Sequence, residues 1–378
     1  MGKPTARFID PVNGNDTTGD GLAHGTAWAT VQHALDNTTR DATNGNIFHI
    51  NSSGDDTSSA PLDFTTFNSG GGSAGAPVIF EGYASTAGDG DFEAGTGIGG
   101  ISGGGSNSIF SSTGLSYIWM RHLHLHNCGS AAIINLDNQI RIFECELDNT
   151  SGNGIDVDNG SSIEGCHIHN VGGQGIRLFN ATNAVAKYNF LANGTNDFSD
   201  AIATGNQHNR VEGNIISVDG TSNGIALQGI NDRCENNTVY SSSTSGVGIR
   251  IVANADIDAG IINNYVEGFD DGIDTAAITS NSVPILAHNA VYNANTNDYD
   301  DTGEAIGFED DNESLGSSGI AKSGSATDFG NRETYFAPAD VGNMRGGAFP
   351  PALRRDKGAV QHADPAGGGG STAYVIGS

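Results

Sequence analysis

From residue 123 to residue 293 the chain repeats one five-residue motif eight times, and this repetition restricts the fold more than any other feature. The segments LHLHN (123–127), CELDN (145–149), CHIHN (166–170), NFLAN (189–193), NIISV (214–218), NTVYS (237–241), NYVEG (264–268) and NAVYN (289–293) begin 22, 21, 23, 25, 23, 27 and 25 residues apart. A period of this length belongs to a solenoid, in which each coil buries its apolar side only against its neighbours. Alternate residues of a strand share a face, so the columns of a real repeat must sort by polarity. The third position reads Leu125, Leu147, Ile168, Leu191, Ile216, Val239, Val266 and Val291. Three residues before each segment stand Met120, Ile142, Ile163, Ala186, Val211, Cys234, Ile261 and Leu286. These two columns are the expected core.

The first position is Leu123, Cys145 and Cys166, and then Asn189, Asn214, Asn237, Asn264 and Asn289. Five stacked amides can hydrogen-bond from coil to coil, so an inward Asn ladder is expected. A further column repeats in phase: Ala132-Ile133, Gly154-Ile155, Gly175-Ile176, Ala201-Ile202, Gly224-Ile225, Gly248-Ile249 and Gly272-Ile273. Its small residue lets the chain bend before another strand. Cys145 and Cys166 fall one coil apart, about 4.8 Å, and a buried thiol stack fits them better than a disulfide. With Cys128 and Cys234 they match neither a zinc spacing nor a disulfide framework.

Composition agrees with many short strands and turns. Gly supplies 56 of 378 residues and charged residues only 16%, while the abundant Asn, Ser, Thr and Asp favour turns over helices. The apolar fraction of 36% is low for a two-layer globule but enough for a narrow shared core. A net charge of −28 sets nucleic acid and anionic membrane surfaces aside as partners. No stretch reaches transmembrane length. The start, Met1 to Ala6, has neither a signal-peptide core nor a myristoylation pattern, so synthesis in the cytoplasm is expected.

An open solenoid end needs a cap. Residues 1–46 are expected to form one, with Thr26 capping a helix over 26–37 that places Trp28, Val31 and Leu35 on one face. Residues 47–300 are expected to form the solenoid, with strand-like runs at Ile47–Ile50, Val78–Glu81 and Tyr117–Met120 in irregular early coils and regular coils from about 117. Residues 301–378 are expected to form an irregular C-terminal extension and tail. Its stretches around Tyr335-Phe336-Ala337-Pro338 and Arg354–Gln361 are expected to pack along the solenoid or onto a partner, and Gly367–Ser378 reads as a tail.

The opening Phe8-Ile9-Asp10-Pro11-Val12-Asn13-Gly14-Asn15-Asp16, with Gly19-Asp20-Gly21 and Ala27–Leu35, resembles the N-terminal signature of pectate-lyase-like right-handed parallel β-helix proteins. The closing Asp356-Lys357-Gly358-Ala359-Val360-Gln361 resembles the end of many such chains. This resemblance implies an all-β, single-stranded right-handed parallel β-helix with a short N-terminal capping helix. For function it implies little, since such folds serve polysaccharide lyases, glycoside hydrolases, epimerases and non-catalytic bacteriophage tailspikes.

The second and fourth positions of the repeat face outward. On three successive coils they read His124 and His126, Glu146 and Asp148, His167 and His169, a patch roughly 10 Å across. Such a set suits a divalent metal, zinc or calcium, or acid/base chemistry on sugars, and equally an ordinary polar face. No other cofactor is indicated. Asp156 with Arg177, and Arg250 with Asp274, stand on adjacent coils as candidate catalytic groups or as cross-strand ion pairs. Asp270, Asp271 and Asp274 resemble glycosidase carboxylates without the surrounding motifs. Asp10, Asn13, Asn15, Asp16 and Asp20 have calcium-compatible oxygens but read as turn chemistry.

These features lead to a bacteriophage-type virion protein, a tailspike, fibre or decoration β-helix. Its expected partners are other virion proteins and host-surface polysaccharide. The alternative is a secreted lyase or glycoside hydrolase acting on acidic polysaccharide. A homo-oligomer, such as a trimer, would use β-helix faces or the tail, because coiled-coil heptads are missing.

Overall fold

The computed structural model describes residues 2–300, other than 58–59, 69–71, 92–94, 106, 113, 130–131, 179, 195, 244, 253–258, 276–284, 293 and 295, together with the strands Phe308–Asp310 and Glu313–Ser314. The described strands form three sheets of twelve, eleven and nine strands, and the chain visits the first, second and third sheet in turn. Strand pairing within the sheets is parallel. The chain is a parallel β-solenoid.

The two expected core columns run in register along the first and second sheets, and their side chains are buried. Ile134, Ile155, Ile176, Ile202, Ile225, Ile249 and Ile273 form the matching column of the third sheet. In the first of these coils the expectation was one residue off, since Ile134 and not Ile133 pairs with Ile155. The cause is a bulge: Leu125 pairs with Leu147 but Gly129 with Thr150, so this strand carries one extra residue.

In the eight regular coils that begin at residue 118, one left-handed residue makes the corner between the first and second sheets. His122, Glu144, Gly165, Tyr188, Gly213, Asn236, Asn263 and His288 have φ between 50° and 66°, strained for most side chains. Bonds between successive corners hold it there, as in His122 N–H to Glu144 O at 3.1 Å and Tyr188 N–H to Glu212 O at 3.0 Å. The next residue turns inward, which places the asparagines. Each amide oxygen of Asn214, Asn237, Asn264 and Asn289 accepts both the side-chain and the backbone N–H of the preceding asparagine, at 2.9–3.0 Å. Asn189 ends the run by accepting from the Cys166 N–H at 2.9 Å. All four cysteines are free and buried.

The N-terminal segment departs from the expected cap. Thr5–Ile9 is already a strand of the first sheet, paired with Asn46–Asn51. The α-helix is Val31–Asp36, capped by Thr30, whose hydroxyl accepts the His33 N–H. Thr26 instead closes a short 3-10 turn and donates to Asp20. The later start follows from two carboxylates: Asp16 accepts the Ala29 and Thr30 N–H groups, and Asp56 accepts that of Val31. Val31, Ala34 and Leu35 are buried from this helix. At the other end, Phe308–Asp310 and Glu313–Ser314 continue the first and second sheets, so the solenoid passes residue 300. The stretches expected at 335–338, 354–361 and 367–378 lie outside the described residues.

Candidate metal centre

Leu125, Leu147 and Ile168 point into the core of the second sheet, and their neighbours therefore face out. Register aligns His124 with Glu146 and His167, and His126 with Asp148 and His169. Gly100 precedes His124 in its column. A Cβ there would meet the carboxylate of Asp55, so the glycine leaves room for Asp55, from the strand Asp55–Thr57, to lie over it and reach His126.

The histidines and carboxylates interlock. His124 Nε2 is 3.1 Å from Asp148 Oδ1, His126 Nε2 is 3.1 Å from Asp55 Oδ2, and His169 Nε2 is 3.1 Å from Glu146 Oε1. His167 Nδ1 lies 3.7 Å from that same Glu146 oxygen. The rings of His124 and His126 stack at 4.3 Å, and those of His167 and Phe190 at 5.1 Å. Two donor sets result, Asp55/His124/His126 and Glu146/His167/His169, each with its three ligand atoms within 4.8 Å of one another. Two imidazoles and a carboxylate leave coordination positions open, as reactive metal sites require.

Proton affinities across the patch diverge. Glu146 is held down at about 2, first by the hydrogen bond from His169, with the charges of His124, His167 and His169 adding to it against desolvation. Burial, then the neighbouring His169, pushes His167 down to about 4. For His124 burial disfavours the charged ring, but the hydrogen bond to Asp148 and the charges of Glu146, Asp148 and Asp55 outweigh it, and its pKa is raised.

The other candidates lie elsewhere. Arg177 pairs with Asp156 at 2.7 Å on the third sheet. Arg250 stands in register with Asp274 but also reaches across Ala226 to Asp200 at 2.7 Å. Asp271 and Asp274 share the strand Asp271–Asp274, and Asp270 accepts from Thr296. The oxygens of Asp10, Asn15 and Asp20 accept backbone N–H groups of their own turns. Sequence reading missed Asp55, whose coil has an irregular length, and Glu267. The latter is pushed up to about 7 by burial while accepting the Tyr265 hydroxyl at 2.8 Å.

Residues 100–216 match the family model described as the right handed beta helix region. The fold is a right-handed parallel β-helix. Comparison with curated proteins gives no match. Among solved structures the β-helix is similar to a GH136 lacto-N-biosidase from Eubacterium ramulus, at 10% identity over 83% of this chain and 67% of that one, TM-score 0.49. It is similar to pectate lyase Pel9A at 12% identity over 98% and 95%, TM-score 0.48. A mannuronic acid specific polysaccharide family 6 lyase from human gut microbiota matches at 13% identity over 85% and 89%, TM-score 0.43.

Proposed function

We propose that this β-helix acts on polysaccharide, with the histidine/carboxylate patch of the second sheet, loaded with a divalent metal, as its reactive centre. The observation that carries the proposal is the pair of two-histidine, one-carboxylate donor sets on a single outer face. Asp55, His124 and His126 would hold one ion, and Glu146, His167 and His169 a second. A bound ion would supply Lewis acidity toward a sugar oxygen or a bound water. The chain's own groups suit that ligation: Glu146 stays ionised and His167 stays neutral at physiological pH, the forms in which a carboxylate and an imidazole hold a metal.

Purified protein incubated with acidic and neutral polysaccharides, with zinc or calcium and with a chelator, should yield new reducing ends or unsaturated-product absorbance. The product should disappear on chelation and in the His124→Ala/His167→Ala double variant. Product that survives both treatments would remove the patch from the reaction. Glycan binding with no product from the parent would instead favour a recognition protein without catalysis, which is the role of a virion surface component.

A further inference from the structure

Cations are scarce and unevenly placed on this molecule. Between residues 41 and 300 the Lys and Arg residues are Arg121, Arg141, Arg177, Lys187, Arg210, Arg233 and Arg250. Arg177 and Arg250, on the third sheet, are paired with aspartates. The remaining five belong to the outer face of the first sheet. Register places Trp119, Arg141, Ser162, Val185, Arg210 and Arg233 in one outward column. A parallel column runs through Arg121, Phe143, Glu164, Lys187, Glu212 and Glu235.

Three of the five cations are neutralised in place. Arg121 pairs with Glu81 at 2.7 Å, Lys187 with Glu164 at 3.1 Å, and Arg210 with Glu212 and Glu235 at 3.0 and 3.6 Å. Arg141 and Arg233 form no ion pair among the described residues. Arg141 is exposed and lies over the Trp119 ring, its guanidinium carbon 4.8 Å from the ring centroid. Arg233 extends over Gly260, where a Cβ would meet its guanidinium. Beside Arg141 lies a groove of about 510 Å³ lined by Trp119, Ser162 and Val185, with Phe143, 41% exposed, and the Lys187–Glu164 pair on its sides, while Arg233 stands beyond it.

We propose that this groove binds an anionic glycan, with the carboxylate of a uronate residue on Arg141 and the apolar face of a sugar ring against Phe143. A guanidinium presents a planar fork that matches a carboxylate bidentately and can do so while resting against an aromatic ring. Arg233 stands four coils further along, roughly 19 Å at the strand spacing, and takes a second carboxylate of the same chain. On a molecule of net charge −28, guanidiniums without an ion pair give a polyanion a local attraction at this face. The surface lies on a different sheet from the histidine patch, and its existence does not depend on catalysis there.

Isothermal titration calorimetry with oligogalacturonate and oligomannuronate hexamers, and with maltohexaose as a neutral control, tests the groove. The parent should bind the uronate hexamers and not maltohexaose, and raising sodium chloride from 0.05 to 0.5 M should weaken binding about tenfold or more. Arg141→Gln and Phe143→Ala change exposed side chains and should keep the parent's melting temperature while each weakens binding about tenfold. The His124→Ala/His167→Ala variant should bind as the parent does. Equal affinity for maltohexaose, no binding of either uronate by the parent, or binding lost in the histidine variant but kept in Arg141→Gln would overturn the groove. Product formed by a protein whose groove variants bind unchanged would leave the patch as reactive centre and remove the groove. Groove binding without product would do the reverse.

Discussion

Asn237 shows how much one ladder position holds. Its amide oxygen accepts the backbone and side-chain N–H of Asn214 at 2.9 and 3.0 Å, and its amide nitrogen donates to Val211 O and Asn264 Oδ1 at 2.9 Å each. Leucine there would leave these buried groups without partners. Asn237→Leu should cost on the order of 2–4 kcal/mol, from about 1–3 kcal/mol per orphaned buried group with partial relaxation. Asn289→Leu, at the end of the run, should cost less. Urea unfolding of the two variants checks this, and equal stability of Asn237→Leu and parent would show that the ladder holds nothing. The ladder was legible because one residue type fills one column five times. A second bonding column, before the first sheet, was not. Ser161 Oγ accepts the Ile140 N–H, Asn209 Oδ1 that of Ala184, and Asp232 Oδ1 that of Asn209. Three residue types do one job there, so no identity repeats to be seen.

Among the strands, Leu123–Gly129, Glu146–Thr150 and His167–Val171 were legible as a unit because inward leucines and isoleucines alternate with outward polar residues. That alternation fails further along the same sheet, where the outward Phe190, Ile215 and Tyr265 are as buried as core residues, and pattern alone does not tell the two faces apart. Asp55 was hidden by irregular coil lengths, and only strand pairing brings it to His126. The three strands also set a pH response. The His167 pKa is about 4 in the fold against 6.5 ordinarily, so between these values the unfolded chain takes up a proton that the native one refuses, and stability falls as pH drops. The full loss is up to ~3 kcal/mol. Glu146, depressed to about 2, adds a further loss below about pH 4.5. The raised His124 acts oppositely: its contribution is complete below pH 6.5 and is lost as pH rises through its folded value. His167→Phe, which continues the aromatic stacking of Phe190 in that column, should remove most of the slope between pH 6.5 and 4. Unfolding free energies measured across that range decide it, and an unchanged slope would mean that His167 titrates normally.

Across the whole molecule, charge and site-specific binding can be separated because they have different ranges. A net charge of −28 on 378 residues makes the native solenoid self-repelling. Sodium chloride shortens the screening length from about 30 Å at 0.01 M to about 3 Å at 1 M, so salt should raise the melting temperature whatever the patch does. A metal held by the histidine/carboxylate patch stabilises by mass action, by about 2.7 kcal/mol at a hundred times its dissociation constant. That gain needs the imidazoles at His124 and His167 and not the overall charge. Removing the two imidazoles leaves the formal charge with neutral histidines unchanged, so the salt response should survive in the His124→Ala/His167→Ala variant. The expected pattern is therefore an equal rise with sodium chloride for parent and variant, and a further rise of a few degrees with zinc, at fixed ionic strength, for the parent alone. Magnesium, which prefers oxygen ligands in octahedral geometry, should act on both proteins as salt does. Should zinc stabilise parent and variant alike, its binding lies outside the patch, and the two donor sets are an acid/base and ion-pair face of the solenoid.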